Sequence, residues 1–380
     1  MKASASVVAG ACALACAVLA AGSAAAGETT LDETALVPGL SLAPTRISHR
    51  QGARPPLEQL VGARLVVGME GTSPSAALLE RIRGGRIAGV ILMGHNVRSA
   101  PQVRALTSAL RAAARSAGRR LLIVTDQEGG AVRRFRWAPP VASAVELGRL
   151  GEAVLRRRGR ETGRALDLLG VDVELAPVAD VPLDEQSFIA IQERGFSTVP
   201  NRVAKAVTAF SAGLLDAGVA PTLKHFPGLG RARRTTDRVA VTLTADRATL
   251  ASGLVPYRRA IAAGVAPLVM LSNASYTAYG AEPAAWSPEV VGALRGLGFG
   301  GVTITDALDP LAATRAVPLG ETAVRAAAAG VDLLLFVGSE RSSTRAYDAV
   351  LAAARSGRLP AAGLARSAAR IDALVATYAG

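Results

Sequence analysis

The sequence predicts an α/β fold, a closed (β/α)8 barrel in a single domain, from three observations. Apolar runs of strand length recur eight times between residues 64 and 338. Each is followed by an Ala/Leu/Arg-rich stretch of helical period, and no G-x-G-x-x-G phosphate loop follows the first run. Strands that are apolar on both faces and alternate with amphipathic helices make a parallel sheet covered by helices. Eight such units match a closed barrel, whereas an open doubly wound sheet expects the glycine-rich loop.

In chain order the runs are "RLVVGM" (64–69), "AGVILMG" (88–94), "RLLIVTD" (120–126) and "VDVELAPV" (171–178), then "APTLKHF" (220–226), "APLVMLSN" (266–273), "GGVTITDA" (300–307) and "VDLLLFVG" (331–338). Their interiors are Val, Leu and Ile. Their C-terminal ends carry Asp126, Asp180 just beyond the fourth, Lys224 and His225, Ser272 and Asn273, and Asp306. Barrel active sites sit at this end of the strands.

The chain before the barrel divides in two. Residues 1–26 begin with Lys2, continue as a nearly unbroken apolar run and end in Ala24-Ala25-Ala26, the pattern of a secretory signal peptide cleaved near Ala26. A retained membrane anchor is the alternative, but Ser and Gly break the run and no basic stop-transfer cluster follows. Residues 27–55 are polar and aperiodic and read as a leader or linker, which leaves 56–380 as the barrel domain. Cys12 and Cys16, the two cysteines of the chain, both lie in the signal segment, so the mature protein has no disulfide and no cysteine nucleophile. The expected location is secreted or extracytoplasmic, with no stable membrane insertion after cleavage.

A net charge of +13 raises the question of nucleic acid. The arginines are instead spread along helical stretches such as "VLRRRGRETGRAL" (154–166) with few aromatics, which describes a solvated basic face. Contact with anionic cell-wall polymer remains open as electrostatic steering. No nucleic-acid partner is expected, and the protein reads as a monomer.

Lys224 and His225 are adjacent, so regular alternation sends their side chains to opposite sides of a strand. Both serve one site only if the chain turns there, and "FPG" follows immediately. Asp306 closes an apolar strand and reads either as a cap for the next helix or as a cavity-facing nucleophile or base. Asp309 before Pro310 is an equally good cap, which frees Asp306 for the cavity. "TDQEGGAVRRF" (125–135) joins Asp126 to a Gly-Gly turn and two arginines, and "QERGFS" (192–197) offers Glu193 and Arg194. His49, His95 and His225 are the only histidines and none has metal-pair spacing, so no metal or other cofactor is expected. No G-x-S-x-G elbow occurs. Carboxylates, lysine and arginine in one pocket suit a hydroxyl-rich ligand, a carbohydrate.

"TDQEGGAVRRF", "QERGFS", "LKHFPGLG" and "GVTITDAL", in this order, resemble the family 3 glycoside hydrolases, and within them the single-domain β-N-acetylhexosaminidases. The resemblance spans residues 55–378. It implies that Asp306 is the nucleophile of a retaining glycosidase and that Asp126, Arg134, Arg194, Lys224 and His225 hold the sugar before the cleaved bond. One departure stands out. Members of the group usually read K-H-F-P-G-H-G followed by D-S-H, whose last histidine is the general acid/base. Here Leu229 replaces the middle histidine and the loop contains no other.

Aligned without a gap, Asp237 takes the place of the missing acid/base and forms a two-carboxylate pair with Asp306. With a one-residue insertion Asp237 matches the supporting aspartate and Arg238 lies near the vacancy. Arginine cannot exchange a proton near neutrality. Glu193 is a further acid/base candidate. The expectation is a secreted retaining exo-glycosidase removing terminal β-linked N-acetylglucosamine from cell-wall or chitin-type saccharides. Its alternatives are a β-glucosidase-type member or a catalytically impaired sugar-binding barrel.

Overall fold

A computed structural model describes residues 55–380. The expected signal peptide, most of the leader, both cysteines and His49 lie outside the described residues. Eight parallel strands form the barrel: β1 (Leu65–Val67), β2 (Gly89–Leu92), β3 (Leu122–Thr125), β4 (Val173–Glu174), β5 (Ala220–Phe226), β6 (Leu268–Leu271), β7 (Val302–Thr305) and β8 (Leu334–Phe336). Their spatial order is β7-β6-β5-β4-β3-β2-β1-β8, and an Ile304–Leu333 bridge joins the two ends of the row. Each strand falls inside one of the eight apolar runs.

Side-chain alternation splits every strand between two cores. Val66, Ile91, Val124, Val173, Met270, Ile304 and Leu335 fill the barrel interior. Their neighbours Leu65, Val67, Leu92, Ile123, Leu334 and Phe336 face outward against helices. Because both faces are buried, the runs show no polar alternation.

The covering helices follow from periodicity and capping. Helix Ala100–Arg115 buries Val103, Leu106, Leu110, Ala113 and Ala114 on one stripe, and Ser99 Oγ accepts from Gln102 N–H at 3.3 Å to cap it. Helix Glu152–Asp167 buries Leu155, Gly159, Gly163 and Leu166, while Arg156, Arg157 and Arg158 point to solvent. It crosses helix Pro200–Leu215 so closely that a Cβ on Gly159 would lie 2.2 Å from Phe210 O. Glycine is required there. The cap expected at Asp309 is not formed: Asp309 lies inside helix Leu308–Arg315, and its Oδ2 accepts Val337 N–H at 2.8 Å, tying the helix to the end of β8. Among the described residues no helix is long and apolar enough to cross a membrane.

Candidate active site

The C-terminal strand ends surround a cavity of about 300 Å³ lined by Asp126, Glu128, Arg134, Arg194, Lys224, His225, Asp237 and Asp306. The seven residues given catalytic or sugar-holding roles in the sequence, Asp126, Arg134, Arg194, Lys224, His225, Asp237 and Asp306, meet there. Among the apolar residues that share the lining are Met93, Phe188, Leu229 and Met270.

Lys224 sits at the centre of the charged wall. Its Nζ lies 2.7 Å from Asp126 Oδ1 and 2.7 Å from Glu128 Oε1. Arg134 Nη2 reaches Asp126 Oδ2 at 2.9 Å, and Arg194 grips Glu128 through two bonds of 2.8 Å. Burial alone would push the Asp126 and Glu128 carboxyls up. Lys224 and Arg134 outweigh it at Asp126, and Arg194 and Lys224 outweigh it at Glu128, holding both below the usual carboxylate range. Burial likewise works against the Lys224 ammonium, but the two carboxylates raise its pKa overall. Asp126 Oδ1, Asp126 Oδ2 and Glu128 Oε2 each meet one cation and keep an acceptor position for a hydroxyl, whereas Glu128 Oε1 meets both Arg194 and Lys224.

The backbone explains how neighbouring residues 224 and 225 reach one cavity. The register of β5 against β6 shifts between Leu223 and Phe226, so regular alternation stops there. His225 Nδ1 lies 2.7 Å from Asp180 Oδ2, while Asp180 Oδ1 accepts the backbone N–H groups of His225 (3.2 Å) and Leu229 (2.7 Å). Against a carboxylate that accepts two further N–H groups, Nδ1 is assigned as the donor, which leaves Nε2 for a ligand. Asp180 therefore fixes both His225 and the start of the following loop. Leu229 is 1% exposed and supplies only its backbone N–H to this network.

Asp306 follows β7, and its Oδ1 accepts Ala307 N–H at 2.8 Å. Burial raises its pKa; His225 draws it down, and the negative charge of Asp237 adds to the rise. The charge of Asp237 is thus felt at Asp306 across the cavity. Asn273 braces this corner by donating to Ala307 O at 2.7 Å, while Ser272 Oγ accepts Ala274 N–H; neither lines the cavity.

Asp237 rides on a loop held at both ends. Tyr276 OH donates to Gly228 O at 3.0 Å and Phe188 N–H to Ala232 O at 2.9 Å. At the far end Arg315 Nη2 and Ser275 N–H both donate to Val241 O, at 3.2 and 2.9 Å. Between these anchors Asp237 Oδ2 accepts from Thr235 Oγ1 at 3.0 Å. No guanidinium pairs with Asp237 among the described residues; Arg233 pairs with Asp184 at 2.7 Å. Glu193 is exposed at φ 53° and does not line the cavity, unlike its neighbours Gln192 and Arg194.

Sequence reasoning passed over three residues of this site. Glu128 sits two positions after Asp126 on an extended segment, Gln127–Gly129, so both carboxylates point the same way; that i, i+2 spacing was the available signal. Between them Gln127 faces the other side. Its Oε1 accepts Arg134 and Phe135 N–H at 3.0 Å each, and its Nε2 donates to Phe135, Ala138 and Pro139 carbonyls, which fixes the loop that presents Arg134. Glu174, at the end of β4, accepts Gln127 N–H at 2.6 Å, and burial raises its carboxyl well above the usual range. Glu174 lies beneath the charged wall.

Residues 57–374 match the glycosyl hydrolase family 3 N-terminal domain. An uncharacterized secreted glycosyl hydrolase of Arthroderma benhamiae is 33% identical over 324 residues, covering 82% of this chain and 91% of its own. Among solved structures, a family 3 β-N-acetylglucosaminidase from Paenibacillus superposes with TM-score 0.81 at 33% identity; the match covers 85% of this chain and 63% of that longer one. A β-N-acetylhexosaminidase from Beutenbergia cavernae gives TM-score 0.77 at 33% identity and covers 84% of this chain and 98% of its own.

Proposed function

This chain belongs to glycosyl hydrolase family 3, and we propose that it is a secreted retaining exo-glycosidase releasing terminal β-linked N-acetylglucosamine. The observation that carries the mechanism is the placement of Asp306 and Asp237 on one cavity, close enough for the charge of one to shift the pKa of the other. Asp306, at the end of a rigid strand, attacks the anomeric carbon. Asp237, on the anchored loop, gives its proton to the departing glycosidic oxygen. A covalent glycosyl-Asp306 ester results, and Asp237, now a carboxylate, takes a proton from the water that displaces Asp306. Two inversions return the original anomer.

The wall of Asp126, Glu128, Arg134, Arg194 and Lys224 fixes the sugar. Paired charges present donors and acceptors at set positions, and a hydroxyl that exploits them loses little solvation. His225 Nε2 faces the same sugar close to Asp306. The secretory pattern of residues 1–26 supports export, as does the likeness to a relative described as secreted. Saccharide ends of chitin or cell-wall type supply such a terminal residue.

The test is turnover of aryl β-N-acetylglucosaminide beside aryl β-glucoside, with the first-formed anomer read by NMR. The expected result is preferential turnover of the acetamido sugar with the β anomer formed first. An α anomer as first product, or saccharide binding by calorimetry with no turnover of either glycoside, would overturn the reading.

A further inference from the structure

A further cavity, of about 220 Å³, opens at the N-terminal end of the barrel, opposite the active site. Arg64, Gly330, Gly363, Arg366, Ser367 and Arg370 are among the residues that line it, and none of its lining residues is a carboxylate. Arg64 stands just before β1 and is 1% exposed. Its Nε donates to Asp332 O at 3.1 Å and its Nη2 to Val331 O. The guanidinium therefore lies against the backbone beside Gly330, and its Nη1 has no partner among the described residues. Burial pulls the pKa of Arg64 down to about 10; the Asp332 charge opposes that fall and the Arg370 charge adds to it.

The cluster is short of negative charge. Asp332 lies behind the wall, and Arg370, Arg295, Ser367 and Thr303 already occupy its two oxygens. Glu321 is held by Arg358 and Arg325, at 3.2 and 3.3 Å. Arg366 is exposed and pairs with no carboxylate among the described residues; a Cβ on Gly363 would lie 3.9 Å from its Nη2, which places this guanidinium at the cavity wall. Helix Ala361–Tyr378 begins at the same wall, and no side chain caps its first turn. The last turn of helix Leu319–Ala328 also borders the cavity, but Gly330 and Val331 N–H groups take up Ala327 O and Ala326 O, at 3.2 and 3.3 Å.

Even with Asp332 set against Arg370, the charges of Arg64 and Arg366 stay unmatched, and one dianion meets both. A phosphate group carries about two negative charges at neutral pH and suits both the guanidinium fork and the amides of a helix N-terminus. The volume lies below the about 300–1,000 Å³ typical of pockets for drug-sized ligands, so the guest is small. We propose that this cavity binds phosphate, as the free ion or a small monoester, between Arg64, Arg366 and the start of helix Ala361–Tyr378. Held there, the phosphate ties the entry to β1 to the C-terminal helix and stabilises the fold. The site lies outside the catalytic cavity and does not depend on the glycosidase reading.

Calorimetry and thermal melting of the protein in chloride of constant ionic strength test it, with inorganic phosphate, glycerol 3-phosphate or acetate as the added anion. The expected result is one saturable site for a phosphate compound, with acetate at least about tenfold weaker, and a melting temperature that climbs with phosphate concentration. Arg366→Gln changes an exposed, unpaired side chain and should fold as wild type, yet bind phosphate about tenfold more weakly and lose most of the climb. Tighter binding of glycerol 3-phosphate assigns a monoester as the guest, and tighter binding of phosphate assigns the free ion. No saturable phosphate binding, acetate binding as tight as phosphate, or an affinity unchanged in Arg366→Gln, as phosphate held in the catalytic cavity would give, overturns the site.

Discussion

The two ends of the barrel hold similar chemical groups in opposite conditions. At the N-terminal end Asp332, fully buried, accepts from Ser367 Oγ, Arg370, Arg295, Thr303 N–H and Thr303 Oγ1. Burial pushes its carboxyl up, but Arg370 and the Thr303 amide outweigh that and lower it overall. Every acceptor position points at protein. At the C-terminal end Asp126, Glu128 and Asp306 border a cavity, and Asp306 takes a single backbone N–H. A saturated carboxylate holds strands and helices together, whereas an unsaturated one is a site. The difference lies in how many donors the neighbouring segments supply, not in residue type.

Replacing the carboxylates one at a time sharpens that contrast. The largest effect is expected at the open end: with Asp306 as the proposed nucleophile, Asp306→Asn should lower kcat by about 10⁴-fold or more on aryl β-N-acetylglucosaminide. Its stability should move the other way. The folded-state pKa of Asp306 is raised, so the wild type has its full stability below the unfolded carboxyl pKa and loses some as pH rises through the folded value. Asn does not titrate, so the variant should melt higher than wild type at pH 7 by calorimetry. A lower melting temperature would break the comparison at its active end.

At the closed end the pattern reverses. Asp332→Asn leaves Arg370 and Arg295 beside an amide, and breaking a buried pair costs about 3–5 kcal/mol. Urea titration should show that loss while activity per folded molecule stays at the wild-type level. Unchanged stability would mean that the closed cluster does not brace the barrel.

A smaller effect separates two carboxylates of the same closed end. Asp172 also faces an arginine, Arg111, at 2.5 Å, and accepts Ile123 N–H at 2.7 Å, yet burial dominates and raises its pKa to about 6. A raised folded value gives stability below pH 4 that is lost as pH climbs through about 6. Relative to Asp172→Asn, wild type should therefore lose about 2–3 kcal/mol of unfolding free energy between pH 4 and 7. A difference that stays constant over this range would remove Asp172 as its source.

The closed end was largely invisible in the sequence, and the open end largely legible, for physical reasons. Strands buried on both faces appear as unbroken apolar runs, so all eight could be placed, and barrel geometry then picked out the polar residues at their C-terminal ends. Asp126, Lys224, His225 and Asp306 follow from that alone. Asp332 opens a run as plainly as Asp306 closes one, but its partners come from residues 295, 303, 367 and 370, and no local pattern links them. Glu128 was hidden by the Gly-Gly turn beside it, and in place of the expected cap Asp309 accepts Val337 N–H from the end of β8. The choice of Arg134 from its arginine pair and the sugar-holding role of Arg194 came from the family resemblance, since both stand on loops whose path depends on Gln127 and Glu128.

The central claim is that Asp237 does the work of the absent loop histidine. Its most direct test compares Asp237→Ala with wild type on an N-acetylglucosaminide with a poor alkyl leaving group and on an activated aryl one, with and without azide. The account predicts a loss of about 10²–10⁴-fold on the alkyl substrate, a much smaller loss on the aryl one, and azide rescue on the aryl substrate with a β-glycosyl azide product. Equal losses on both substrates without rescue, or wild-type rates, would contradict it.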